Sequence, residues 1–190
     1  NPLPPLKRKV GSVGIEAGSK IRVIGKNGEF LNSNITGEIV VRGDNVTRGY
    51  AKNPKANKKC FIDGWFRTGD QGFIDYRGYL TITGRLKELI NRGGEKISPV
   101  EIDNEVLQHP AVSQAVTFSL PDSKLGEKTC VAIVLKTSTV LSPTELKKFL
   151  KLRLSRFKIP DEIVFVNDIP KGNTGKLQRL SLAKTLGLIE

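Results

Sequence analysis

The sequence states twice where a helix must begin, and both starts fall in its second half. Ser98-Pro99-Val100-Glu101 and Ser142-Pro143-Thr144-Glu145 each supply a capping hydroxyl, a proline with no N–H to lose, and an acid three residues on that can reach back to the cap. After the first start, the expected buried stripe is Val100, Val106 and Leu107, and His109-Pro110 ends the helix because proline cannot continue it. After the second, Leu146, Phe149, Leu150 and Leu154 recur at three- and four-residue spacing. Residues 112–120, 129–135 and 162–166 read as strands, and 176–186 as a closing helix. The expectation is a compact α+β domain, a three-stranded sheet with helices, over residues 85–190.

Ahead of Gly84 the pattern changes to short strands with glycine turns. Residues 21–24 alternate, Lys26-Asn27-Gly28 reads as a hairpin turn, and 37–43 is the next strand. Pro54 opens a short polar helix over 53–59. Phe73-Ile74-Asp75 and Tyr79-Leu80-Thr81-Ile82 read as strands joined at Tyr76-Arg77-Gly78. Residues 1–84 are therefore expected to form a small antiparallel β subdomain.

Composition removes several kinds of chemistry. Cys60 and Cys130 lie far apart in a chain of 190 residues, so free thiols are expected rather than a disulfide or metal site. With one histidine, His109, imidazole triads and histidine metal centres are nearly excluded. No apolar run is long enough for a membrane helix, and Lys7-Arg8-Lys9 is not followed by the apolar stretch of a signal peptide. Asn1-Pro2-Leu3-Pro4-Pro5 reads as a loop cut open. The net charge of +12 invites a nucleic-acid partner. Yet the cations are dispersed, and the cluster Lys147-Lys148-Lys151-Arg153-Arg156-Lys158 reads as a solvated helix face. A positive field also suits a polyanionic small molecule.

The chemistry-bearing residues concentrate between Gly64 and Pro99, with one later addition. Asp70 follows Thr68-Gly69, which reads as a tight turn exposing a carboxylate able to accept two hydrogen bonds. Arg85 follows Gly84. Asn91-Arg92-Gly93-Gly94-Glu95-Lys96 is a basic loop whose adjacent glycines let backbone approach a ligand. Pro170-Lys171-Gly172-Asn173-Thr174-Gly175-Lys176 presents a lysine, the group that stabilises charge on a phosphate under attack.

Trp65-Phe66-Arg67-Thr68-Gly69-Asp70, Gly84-Arg85-Leu86-Lys87 and Pro170–Lys176 together resemble the C-terminal part of the adenylate-forming acyl-CoA synthetases, over nearly the whole chain. The resemblance implies that Asp70 binds the ATP ribose, Arg85 contacts the nucleotide and Lys87 is the pivot between two domains. It implies that Gly93 and Gly94 line the pantetheine tunnel, and that Lys176 is catalytic in adenylation and contacts ATP. Arg179 is expected to be structural or to meet phosphate. Residues 1–84 would be the last β-subdomain of the large AMP-binding domain, and 85–190 the mobile C-terminal domain. Lysines stand at Asn91 and Gly93 in the luciferase-like and coumarate-ligase-like branches, so the thioester roles known there do not transfer. The family's phosphate-binding loop and acid pocket are not in the chain, so this piece alone is expected to be inactive.

The implied ligands are ATP with Mg²⁺, coenzyme A and a carboxylic acid; the implied partner is the missing N-terminal domain of the same enzyme. No metal ligands are expected in this piece. Asn53-Pro54-Lys55-Ala56-Asn57 and Arg92–Lys96 are similar to the same stretches of oxalate-using ligases. A carrier-protein-loading adenylation domain and a basic RNA- or partner-binding module are the alternatives. Leu188-Ile189-Glu190 is not a peroxisomal ending, which leaves a cytoplasmic location as the default.

Overall fold

The structure, a computed structural model, describes residues 1–2, 8–172, 175 and 177–189. The chain divides into two compact units, Asn1–Lys87 and Glu88–Glu190.

The first unit is built on one antiparallel sheet. Its strands are β1 (Lys20–Ile24), β2 (Gly37–Arg42), β3 (Phe61–Ile62), β4 (Trp65–Ile74) and β5 (Leu80–Arg85), with helix α1 (Pro54–Cys60) before β3. The order is β1-β2-β4-β3, with β5 also pairing with β4. Asn53 caps α1 through a hydrogen bond from the Ala56 N–H to its side chain, with Pro54 in the first turn. β3 and β4 join through Asp63-Gly64, both at positive φ, which is the two-residue hairpin chemistry of an Asp-Gly pair. The β4–β5 turn is held by Asp75, whose carboxylate accepts the Arg77 and Tyr79 N–H groups.

The second unit has a five-stranded sheet rather than three strands. Its members are β6 (Ile90–Arg92), β7 (Glu95–Ile97), β8 (Val112–Asp122), β9 (Gly126–Leu135) and β10 (Glu162–Phe165). The order is β10-β9-β6-β7, with β8 also on β9; β10 is parallel to β9 and the rest are antiparallel. The two additional strands come from the stretch read as a basic loop. β8 and β9 also run on to Asp122 and Gly126, where a connection was expected. Side chains of β9 alternate between two apolar cores. Val131 and Ile133 face α2 (Pro99–Val106) and α3 (Pro143–Lys151), while Cys130 and Ala132 face Ile169, Leu182 and Ala183.

The helices meet expectation at the start of α3 and depart from it in three other details. At α3 the capping box forms in both directions between Ser142 and Glu145. At α2 the Ser98 side chain makes no cap bond, and Glu101 instead pairs with Lys158. The buried residues of α2 include Ile102, Asp103 and Val106, while Leu107 is exposed. The closing helix is shorter than read: a 3₁₀ turn at Arg179–Ser181 precedes α4 (Leu182–Thr185). Half of the basic cluster is structural. Lys147 donates to the Asp161 carbonyl, Arg153 lies over the Phe149 ring and Lys158 binds Glu101.

Asp161 ties three pieces of the second unit together. Its carboxylate receives Nε and Nη2 of Arg92 at 3.0 and 2.7 Å, and the N–H and hydroxyl of Thr129 at 3.0 Å each. Burial opposes its charge, but the Arg92 and Thr129 bonds win and hold the carboxyl at about 2. A depressed acid stabilises the fold above its ordinary value and loses that contribution as pH falls through the folded value. Asp161→Asn should therefore cost about 1–3 kcal/mol at neutral pH. In urea titrations, the gap between variant and parent should close as pH falls from about 4 to about 2.

Candidate functional site

Asp70 does not sit on a terminal turn; it lies inside β4, just past a bulge. Val40 pairs with Arg67 and Glu38 with Gln71, so Thr68, Gly69 and Asp70 together face Ile39 alone. The Thr68 hydroxyl fills the broken ladder. It donates to the Ile39 carbonyl at 2.8 Å and accepts the Asp70 N–H at 3.0 Å. Gly69 takes φ +72 in open space, so glycine is needed there for conformation. A second irregularity, between Gln71 and Gly72, sets β5 so that Arg85 is the register partner of Asp70.

The bulges bring two of the sequence-derived residues together. Arg85 Nε lies 3.1 Å from Asp70 Oδ1, with Arg85 half exposed and Asp70 largely covered. Lys87 follows in a 3₁₀ turn, Leu86–Glu88. Arg85 and Lys87 line a cleft of about 420 Å³ with Glu38, Lys59, Arg67 and Tyr50. Buried Glu38 is engaged by the exposed Arg67 at 2.9 Å, a hydrogen-bonded ion pair that raises the arginine's pKa. Cations outnumber carboxylates on this wall, and it suits an anionic ligand. Neither Arg67 nor Glu38 was singled out in the sequence. Arg67 stands inside Trp65–Asp70, and that was the available signal.

In the second unit Gly93 and Gly94 form the tip of the β6–β7 hairpin, at φ +59 and +94. This is a two-residue turn with both positions left-handed. Gly93 N–H donates to the Leu125 carbonyl at 2.8 Å, and a Cβ at Gly93 would press on the Leu125 side chain at 3.2 Å. Gly94 faces open space. Lys176 lies outside the described residues. Arg179, left between structure and phosphate, is bound by Asp103, Glu88 and the Thr117 carbonyl. Among the described residues no cluster of three or more His, Cys, Asp or Glu is placed to hold a metal. Cys60 and Cys130 are free, and burial pushes the Cys130 thiol up to about 12.

Residues 101–176 match the AMP-binding enzyme C-terminal domain. That stretch of the chain therefore carries an AMP-binding enzyme C-terminal domain. It is 50% identical over 187 residues to an oxalate–CoA ligase of Saccharomyces cerevisiae, covering 97% of this chain and 34% of that protein. An oxalate–CoA ligase of Arabidopsis thaliana is 46% identical over 185 residues, covering 97% and 36%. Among solved structures, ATP-bound MatB from Rhodopseudomonas palustris superposes with a TM-score of 0.89 at 34% identity, over 95% of this chain and 37% of that one. The chain thus spans about a third of the length of the curated relatives it matches. Among the described residues no helix is long and apolar enough to cross a membrane.

The two glycines of β4 are needed for different reasons. Gly69→Ala should cost about 1–2 kcal/mol, the strain of an L-residue at positive φ. Gly72→Ala should cost more, because its Cβ would stand 2.3 Å from the Thr81 carbonyl and 2.8 Å from Ile39. Denaturant midpoints of the two variants measure the difference.

Proposed function

We propose that this chain is the C-terminal part of an ATP-dependent acid:CoA ligase. The observation that carries the reading is Arg85, which pairs with Asp70 and lines a cationic cleft. Arg85 occupies Oδ1 of Asp70, and Oδ2 accepts a ribose hydroxyl. The exposed part of Arg85 faces the phosphates. A carboxylate oxygen of the acid attacks the α-phosphorus, pyrophosphate leaves, and an acyl-adenylate forms. Lys176 stabilises the charge developing on the phosphate and the leaving group. The thiol of CoA then attacks the acyl carbon and AMP leaves, with Gly93 and Gly94 lining the approach of the pantetheine arm.

Mg²⁺ would come with ATP as its counter-ion and would screen the phosphates. Lys87 is the pivot between residues 1–84, the end of the large domain, and 85–190, the mobile domain. The relatives named as CoA ligases favour this reading over carrier-protein loading or RNA binding. Oxalate is the acid to try first, since two of those relatives carry its name.

In the whole enzyme, Lys176→Ala should lower ATP–pyrophosphate exchange by about a hundredfold or more, and spare CoA-dependent consumption of a supplied acyl-adenylate. Asp70→Ala should instead raise the KM for ATP. Equal loss in both half-reactions for Lys176→Ala would show general damage, and no loss would remove it from the site.

A further inference from the structure

Arg179 engages three separate parts of the second unit with one side chain. Nη1 donates to the Thr117 carbonyl, Nη2 to Asp103 Oδ2 at 2.8 Å, and Nε to Glu88 Oε2 at 3.2 Å. The side chains of Arg179 and Asp103 are each only 10% exposed. Thr117 lies on β8, whose other edge pairs with no strand among the described residues. Asp103 also accepts the Thr117 N–H. A carboxylate and a guanidinium therefore close the edge of β8, one on its N–H and one on its C=O. Losing one member would leave the other's charge buried and unpaired.

What this cluster fixes is the backbone that bears Arg179. Lys176 stands three positions earlier in the sequence. Leu177 bridges Lys171, and the Gly175 N–H donates to the Gly172 carbonyl at 2.8 Å. Beyond Arg179, Leu182 and Ala183 are buried in the second core. Glu88, the third partner, directly follows Lys87. Lysine is a point charge on a flexible stem, so its placement must come from the backbone that presents it. We propose that Arg179, held by Asp103 and Glu88, is a positioning residue for the adenylation lysine. It anchors the segment that presents Lys176 and links that segment to the residue following the pivot. The inference rests on the roles proposed above for Lys176 and Lys87.

The test compares both half-reactions in the whole enzyme for Arg179→Lys, Glu88→Gln and Lys176→Ala, with Lys128→Gln as a control that breaks a surface ion pair with Glu162. Arg179→Lys keeps the charge and loses the fork. It should cut kcat of ATP–pyrophosphate exchange by about ten- to a hundredfold, with KM for ATP and CoA-dependent consumption of the supplied adenylate unchanged. Glu88→Gln should show a smaller loss in the same half-reaction, and Lys128→Gln none. Arg179→Lys combined with Lys176→Ala should exchange no more slowly than Lys176→Ala alone.

Wild-type exchange in both Arg179→Lys and Glu88→Gln, beside a damaged Lys176→Ala, overturns the positioning role alone. Parallel loss in both half-reactions, or losses that multiply in the double variant, overturns it as well. Normal exchange by Lys176→Ala fells the reading of that lysine, and the positioning role with it. Should Arg179→Lys lose its cooperative melt, Glu88→Gln decides, because it removes one arm and leaves the Asp103 pair intact.

Discussion

The single constraint on which the first unit depends is a shortage of backbone partners opposite Ile39. Three residues of β4 face one residue of β2 there, and a sheet interior does not tolerate orphaned polar groups. The Thr68 hydroxyl resolves the shortage by acting as donor to one strand and acceptor to its own. With the bulge stabilised in this way, the rest of β4 is re-aimed. Asp70 and Arg85 then become neighbours across the β4–β5 ladder. The polar pair is a consequence of strand geometry, and Gly69 is the residue that permits it.

Two carboxylates organise the second unit, with opposite responses to acid. Asp161 is depressed by its bonds to Arg92 and Thr129. Asp103 is raised, because burial outweighs the pull of Arg179 and Thr117. A carboxyl raised on folding holds its proton more tightly in the native state, so its ionisation costs stability, and that cost is relieved as pH falls. The hairpin bearing Gly93 and Gly94 hangs from the first carboxylate through Arg92; the segment after Lys176 hangs from the second through Arg179.

Local signals were legible in the sequence where the physics is local. Ser142 and Glu145 form the box their spacing announces, and Pro54 and Pro143 sit in the first turns of helices. The bulge was not legible, since Thr-Gly-Asp reads as a turn until Ile39, far away in sequence, is known to lie opposite. β6 and β7 were hidden because charged residues surround Gly93-Gly94 and only Ile90 and Ile97 face a core. The stripe of α2 was misread because Asp103 occupies a buried position, so a charged residue interrupts the apolar period. The Asp63-Gly64 hairpin carried a readable signal that was missed. As for the candidate site, Asp70, Arg85 and Lys87 could be named from motifs, whereas the cleft wall of Glu38 and Arg67 comes from strand pairing.

The two faces of the second sheet differ in when their covers are synthesised. One face is closed by α2 and α3, whose residues flank β8 and β9 in the chain. The other waits for Ile169, Leu182 and Ala183, translated well after the strands they cover. During synthesis Val116, Phe118 and Cys130 therefore present a wet apolar surface on an otherwise formed sheet, beside an edge strand that Arg179 has not yet capped. A ribosome pausing before that segment emerges would expose a sticky, half-clothed sheet. Chaperone capture, or pairing with a neighbouring nascent chain, would be governed by that interval.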